Sequence, residues 1–169
     1  ITDTFENLNF KKDTSILMIE EALKKEINVF QCEINDLFVY NNDVLVNCRE
    51  INSLSEDIDT EVTKIDIDLK DFKYCFMRKD PPVDEDYNNA LHLLDLAKHN
   101  GAVIHNNPCA LKKFNEKVFA THFPEFMPKT LISSSINKIR AFFDSHKKII
   151  IKPLDGMGGT SIYLSLIHI

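Results

Sequence analysis

The chain holds only four glycines, and three of them, Gly156, Gly158 and Gly159, fall together in one short stretch. Glycine lets a backbone turn its amides toward an anion with no Cβ in the way, and Thr160 and Ser161 follow with hydroxyl donors. Lys152 closes the apolar run Ile149-Ile-Ile151 just ahead of Pro153 and this turn, where its ammonium can extend past a sheet edge as a compact cation. Together these residues point to phosphate binding. The stretch contains neither G-x-x-x-x-G-K-[ST] nor G-x-G-x-x-G, and no helix is expected after it. It should therefore act as a flap over phosphates rather than as a cradle at a helix terminus. The plainer alternative is a tight hairpin between strands over 148–152 and 160–164, in which the glycines serve only the turn.

Two further groups carry weaker signals. Asn115-Glu-Lys117 reads as a helix N-cap followed by a charged first turn. A lysine there opposes the helix dipole at a cost of about 0.3–1 kcal/mol, which an anionic ligand would offset. Arg78 and Asp80 follow a buried strand just ahead of Pro81-Pro82, at the carboxyl end where open α/β sheets bind ligands; alternatively the two neutralise each other. The six histidines show no interpretable spacing. Cys32, Cys48, Cys75 and Cys109 are widely separated with no C-x-x-C pair, so reduced, mostly packing thiols are expected, and no metal site.

The elements that must position these groups follow from periodicity. Asp13 or Thr14 caps a helix over 14–26, with Ile16, Ile19, Leu23 and Ile27 at helical spacing and Glu20/Lys24 and Glu21/Lys25 as i,i+4 pairs. Residues 27–34 alternate as a strand, and Leu37-Phe-Val-Tyr40 and Val44-Leu-Val46 flank the turn signal Asn41-Asn-Asp43. A polar loop is expected over 52–64. Tyr74-Cys-Phe-Met77 reads as a buried strand, Asp84 caps a helix with the stripe Tyr87, Leu91, Leu94 and Ala97 and the stop Gly101, and Ala102-Val-Ile104 forms a short strand. Strand, helix and strand in alternation imply a parallel sheet with helices packed on it. Beyond Asn106-Asn-Pro108 the expected elements are a helical stretch near 109–121, a strand near 129–132, a Ser-capped helix over 135–146, the buried strand 148–152 and a strand at 160–164. The domain boundary falls between 106 and 115.

With 169 residues, of which 44% are hydrophobic, the chain is long enough for one full domain or two small ones. Its net charge of -6 argues against a general nucleic-acid binder. No apolar run reaches the ~20 residues needed to span a bilayer, and the first residues lack the pattern of a signal peptide, so a cytoplasmic setting is expected. The chain has no initiator Met and closes on the apolar run from Tyr163 to Ile169, which leads to the expectation of a fragment.

In order and spacing, Met77-Arg-Lys-Asp-Pro-Pro82, Asn115-Glu-Lys117 and Ile151-Lys-Pro-Leu-Asp-Gly-Met-Gly-Gly159 resemble bacterial glutathione synthetase, a family of ATP-grasp ligases. The likeness runs from about Asn9-Phe-Lys-Lys-Asp13 to about Tyr163. It implies an α/β chain: a Rossmann-like parallel-sheet substrate domain over 1–110, followed by the truncated first part of an α+β ATP-grasp domain over 111–169. It also implies an ATP-dependent ligase that joins γ-glutamylcysteine to glycine through an acylphosphate, with Mg²⁺, and that is a homo-oligomer when full length. Lys117 and Lys152 would contact the nucleotide phosphates, Gly156 to Ser161, with Gly158, Gly159 and Thr160 between them, would close over the γ-phosphate, and Arg78 and Asp80 would bind substrate. The sequence departs from the family at its ends. Thr4 stands where relatives tend to have proline, the opening strand is missing, Leu164 to Ile169 match no family pattern, and the metal ligands are expected beyond this chain. The fragment itself is expected to be inactive. The alternatives are a non-catalytic nucleotide-binding module and a different ATP-grasp carboxylate–amine ligase.

Overall fold

The computed structural model describes residues 1–54, 64–80, 82–156 and 162–165, which together include both helix and strand. The chain divides into two compact units, Ile1–Asp80 with Asp84–Lys112, and Pro81–Val83 with Lys113–Ile169. Among the described residues no helix is long and apolar enough to cross a membrane.

In the first unit, helix α1 (Thr14–Lys24) begins where the Asp13 carboxylate accepts the Ser15 N–H at 2.6 Å, so Asp13 rather than Thr14 is the cap. Ile16 and Ile19 turn inward onto Phe5 and Ile51, while Ile27 lies past the helix and is exposed. Lys24 reaches both Glu20 (3.0 Å) and Glu21 (2.9 Å), and this i,i+3 contact replaces the expected pairing of Glu21 with Lys25. The strand read over 27–34 shortens to β1 (Val29–Gln31).

Strands β2 (Leu37–Tyr40) and β3 (Asp43–Ile51) form a hairpin in the register Leu37↔Val46 to Tyr40↔Asp43. The two residues between them, Asn41 and Asn42, have φ of 48° and 73°. That is the left-handed pair a two-residue hairpin turn requires and asparagine tolerates. Alternation along β3 buries Val44, Val46 and Cys48. Its far end pairs antiparallel with β1, and its middle with β4 (Ile65–Asp68), a strand that periodicity did not reveal. Of the polar loop expected over 52–64, residues 55–63 lie outside the described residues.

Strand β5 (Cys75–Phe76) leads through helix α2 (Glu85–His99) to strand β6 (Ile104–His105), and β5 and β6 run parallel. Asp84 caps α2 by accepting the Tyr87 N–H at 2.9 Å, and Gly101 ends the turn after it at φ 108°, as the sequence leads one to expect. One face of α2, Tyr87, Ala90, Leu91, Leu94 and Ala97, is buried in a core shared with Leu37, Val44, Val46, Leu69 and Met77. The expected parallel sheet is present as this one pair. The four-stranded sheet around β3 is antiparallel throughout; for β2 and β3 a two-residue turn permits nothing else. The first two residues lie between β1 and β5: the Ile1 nitrogen donates to Phe76 O (2.9 Å), Arg78 N–H to Ile1 O (2.8 Å), and Thr2 N–H to Cys32 O (3.0 Å).

Helix α3 (Pro108–Lys113) is followed in the second unit by α4 (Glu116–Phe119), α5 (Ile136–His146), β7 (Ile149–Ile151) and β8 (Tyr163–Ser165). β7 and β8 pair antiparallel, from Ile149↔Ser165 to Ile151↔Tyr163. Three expectations fail here. Residues 129–132 form no strand: Pro128 ahead of them lacks an N–H, no described strand lies alongside, and Leu131 and Ile132 are exposed. Ser135 sits at the N-cap of α5 without a side-chain cap bond, its own N–H donating to Ser133 Oγ at 3.0 Å. β7 is buried on one side only, with Ile149 inside and Ile150 61% exposed, as befits a strand with one packed face.

Candidate functional site

The second unit brings Asn115, Lys117 and the start of the glycine-rich segment together. Asn115 is the N-cap of α4: its Oδ1 accepts the N–H groups of Lys117 (3.1 Å) and Val118 (3.2 Å). The other end of the same amide, Nδ2, donates to Leu154 O at 3.0 Å. Lys117 Nζ donates to Gly156 O and lies 3.3 Å from Glu116 Oε1. Val83 N–H donates to Asp155 O at 3.3 Å. The chain leaving β7 is thus held at three successive carbonyls, those of Leu154, Asp155 and Gly156. Lys152, one residue beyond β7, is exposed, and among the described residues it has no carboxylate partner.

This arrangement has a chemical consequence. The two cations differ in what holds them: Lys117 is half-buried and fixed by a carbonyl, whereas Lys152 is exposed at the start of the same segment and meets no carboxylate among the described residues. Sequence reading identified Asn115 as a cap but missed its second role. The available signal was the choice of Asn over Asp, Ser or Thr, because only Asn has an amide donor left once the cap is made. Gly158, Gly159, Thr160 and Ser161 lie outside the described residues.

In the first unit, Arg78 is half-buried just past β5. Its Nη2 donates to Thr14 Oγ1 and its Nε to Ser15 Oγ at 3.4 Å, both on the first turn of α1. The alternative in which Arg78 and Asp80 neutralise each other is not what forms. Lys79, not Arg78, takes the nearby carboxylate, Asp3 Oδ1 at 2.6 Å, while Asp3 Oδ2 accepts the Asp80 N–H at 3.0 Å. Among the described residues the guanidinium meets hydroxyls and no carboxylate, and the Asp80 side chain faces solvent. Thr14 and Ser15, which sequence reading did not assign to this place, are the partners that orient Arg78.

The cysteines form no disulfide. Burial pushes the Cys32 thiol up to about 12 and the Cys48 thiol up to about 11. Burial likewise raises Cys75, whereas exposed Cys109 is raised mainly by donating to Asp95 Oδ1 at 3.0 Å. All four are therefore poor nucleophiles near neutral pH. Among the described residues no group of three His, Cys, Asp or Glu side chains is placed to hold a metal ion.

Residues 116–166, which carry Lys117, Lys152 and the glycine-rich segment, match the sequence profile of the ATP-grasp domain of prokaryotic glutathione synthetase, so this stretch is part of an ATP-grasp domain. Residues 1–112 match the profile of the N-terminal domain of the same proteins, and the chain belongs to the prokaryotic glutathione synthetase family. It is 39% identical over 166 residues to glutathione synthetase of Yersinia pestis, covering 96% of this chain and 52% of the relative. Against glutathione synthetase of Buchnera aphidicola the figures are 37% over 167 residues, with 96% and 51% covered. Against that of Escherichia coli K12 they are 36% over 165 residues, with 96% and 52% covered. The chain spans about half the length of the curated relatives it matches.

Proposed function

We propose that the protein to which this chain belongs is an ATP-dependent ligase that joins γ-glutamylcysteine to glycine. The substrate carboxylate attacks the γ-phosphate, an acylphosphate forms as ADP leaves, and the glycine amine displaces phosphate. The observation that carries the nucleotide half of this reading is the tether of Asn115 and Lys117 to the carbonyls of Leu154 and Gly156, with Lys152, exposed and without a carboxylate partner among the described residues, two residues ahead of it in the chain. Phosphoryl transfer asks a protein for positioning and charge neutralisation more than for a covalent group, and two lysines at one loop supply both. Lys117 and Lys152 contact the phosphates in this reading. The segment from Gly156 through Gly158, Gly159 and Thr160 to Ser161 closes over the γ-phosphate and keeps water from the acylphosphate.

In the same reading residues 1–110 are the substrate domain, built on a Rossmann-like sheet of which the parallel β5–α2–β6 unit is the supporting part. Residues 111–169 open the ATP-grasp domain. Arg78, held by Thr14 and Ser15 and meeting no carboxylate among the described residues, is suited to a substrate carboxylate, and Asp80 near it in sequence to a substrate amine. Mg²⁺ accompanies ATP in this reading, with its ligands in the part of the full-length synthetase outside this chain. A homo-oligomeric assembly is part of the same expectation.

The test is Lys152→Ala in a full-length synthetase carrying this sequence. Loss of a charge-assisted contact is worth roughly 1.5–3 kcal/mol, so ATP affinity should fall at least about tenfold. An unchanged dissociation constant in a folded variant would refute the role. The 169-residue chain alone, incubated with ATP, Mg²⁺, γ-glutamylcysteine and glycine, should release no glycine-dependent phosphate. Sustained turnover would show that the metal ligands were wrongly assigned beyond it.

A further inference from the structure

Tyr87 stands in the first turn of α2, and it belongs to the same buried core as Met77, Leu91 and Leu94, with only 7% of its surface exposed. A tyrosine buried to that degree ordinarily bonds its hydroxyl to a neighbour. The backbone N–H of Tyr87 is taken up by the Asp84 cap, but among the described residues its hydroxyl has no hydrogen-bond partner. A polar tip left unmet on a packed ring calls for a partner from outside the chain.

The charge that acts on this tip is the Asp80 carboxylate. Burial first, and then Asp80, push the phenol up from its ordinary value, so it is protonated at neutral pH. No hydrogen bond joins the two groups among the described residues, so a third group can bridge them. The neighbouring cations are committed elsewhere: Lys79 Nζ to Asp3 Oδ1 (2.6 Å) and Asp80 O (2.6 Å), and Arg78 to the hydroxyls of Thr14 and Ser15. A carboxylate and a phenol oxygen are both acceptors. A primary ammonium, compact and with three N–H donors, satisfies both at once and matches the charge. Asp80 and Tyr87 also lie past the carboxyl end of β5, in the β5–α2–β6 unit, on the side where sheets with such units take ligands.

We infer that Tyr87 is a specificity-determining residue whose hydroxyl, together with the Asp80 carboxylate, takes the primary ammonium of the substrate's γ-glutamyl group. The inference rests on the ligase reading for the identity of the substrate and adds a discrimination to it. γ-Glutamylcysteine has one free amine, the α-ammonium of its glutamyl residue, because the cysteinyl nitrogen is in the amide. A dipeptide without that ammonium leaves the phenol and the carboxylate unpaired, and a site built to hydrogen-bond a group rejects the analogue that lacks it.

The experiment compares γ-glutamylcysteine with glutarylcysteine, which differs only in lacking the ammonium. Calorimetry measures the binding of each to a full-length synthetase carrying this sequence and to its Tyr87→Phe variant, with Mg²⁺ and a non-hydrolysable ATP analogue present. The unaltered protein should prefer γ-glutamylcysteine. In Tyr87→Phe its affinity for that dipeptide should fall at least about tenfold, as for a lost hydrogen bond to a charged group, and its affinity for glutarylcysteine should not change. The urea midpoint should stay constant, because no bond within the protein is removed. Equal losses for both dipeptides, or no loss for either, would overturn the inference. So would a lowered urea midpoint, which would place the partner of the hydroxyl inside the protein. Failure of the ligase reading looks different: the unaltered protein forms no glutathione from γ-glutamylcysteine, ATP and glycine, while its preference between the dipeptides persists and Tyr87→Phe removes it.

Discussion

Replacing Asn115 with Asp separates the two jobs of one side chain. As an N-cap, Asp is as good as Asn, and its charge is favoured at a helix start by a few tenths of a kcal/mol in so short a helix. The hydrogen bond to Leu154 O is lost, however, because a carboxylate has no N–H to give, and an oxygen now faces the carbonyl from 3.0 Å. A neutral hydrogen bond contributes about 1 kcal/mol net, and the unpaired carbonyl adds a similar amount where water is partly excluded. The segment at Leu154 to Gly156 should therefore detach 5–30 times more readily, the factor that corresponds to about 1–2 kcal/mol. Hydrogen exchange of the Val83 amide, which donates to Asp155 O, should accelerate by that factor, while the urea midpoint stays nearly constant. Asn115→Ala removes cap and tether together and should cost a further 0.5–2 kcal/mol of stability, roughly. In a full-length synthetase, ATP affinity should fall with the Asp variant by the same 5–30-fold, roughly, if the tethered form is the one that binds. Exchange at Val83 unchanged in Asn115→Asp, with only the Ala variant destabilised, would reduce Asn115 to a cap and remove the main support for a built nucleotide segment.

The thiols give a pH test. Cys32 titrates near 9 when unfolded and about 12 when folded, so its contribution is complete below pH 9 and is lost as pH rises toward 12. Between pH 8 and pH 10 the loss is about 1.4 kcal/mol for this one group. Urea unfolding of Cys32→Ala should therefore show a pH slope smaller by that amount, and an identical slope would show that the thiol is not protected by burial. Leu94 on α2 is fully buried, and Leu94→Ala should cost about 2–5 kcal/mol, checked by chemical denaturation; a loss under 1 kcal/mol would mean the α2 face is loosely packed.

How much of this was legible depended on how local each determinant is. Helix α2 could be read almost residue by residue, since Asp84, the stripe Tyr87 to Ala97 and Gly101 are all its own. The Asn41-Asn42 turn likewise needs only its neighbours. β4 was hidden because Ile65-Asp-Ile-Asp68 makes sense only beside β3, where the Asn47 side chain donates to Asp66 Oδ1 at 2.5 Å. The reverse error arose at 129–132, where apolar residues resemble a strand but no neighbour comes alongside. At the candidate site, residue types announced Lys117, Lys152 and Arg78. What holds Lys117 and Arg78, namely the carbonyl of Gly156 and the hydroxyls of Thr14 and Ser15, depends on chain segments meeting from 39 and more than 60 residues away. No short window of sequence contains that information.

The two-residue turn at Asn41 and Asn42 also sets an order in time. A hairpin closed by so short a loop forms within about 1–10 μs, long before contacts that must wait for distant chain. β2 and β3 are then available as a surface before β5, α2 and β6 have met, because the parallel pair cannot close until the whole of α2 has been laid between its strands. Val44 and Val46, already turned to one side of that early hairpin, offer the first apolar patch on which Leu91 and Leu94 can settle. The long-range half of the core is therefore assembled on a template that the local half has finished, and the entropic cost of the crossover is met while part of its reward is already in place.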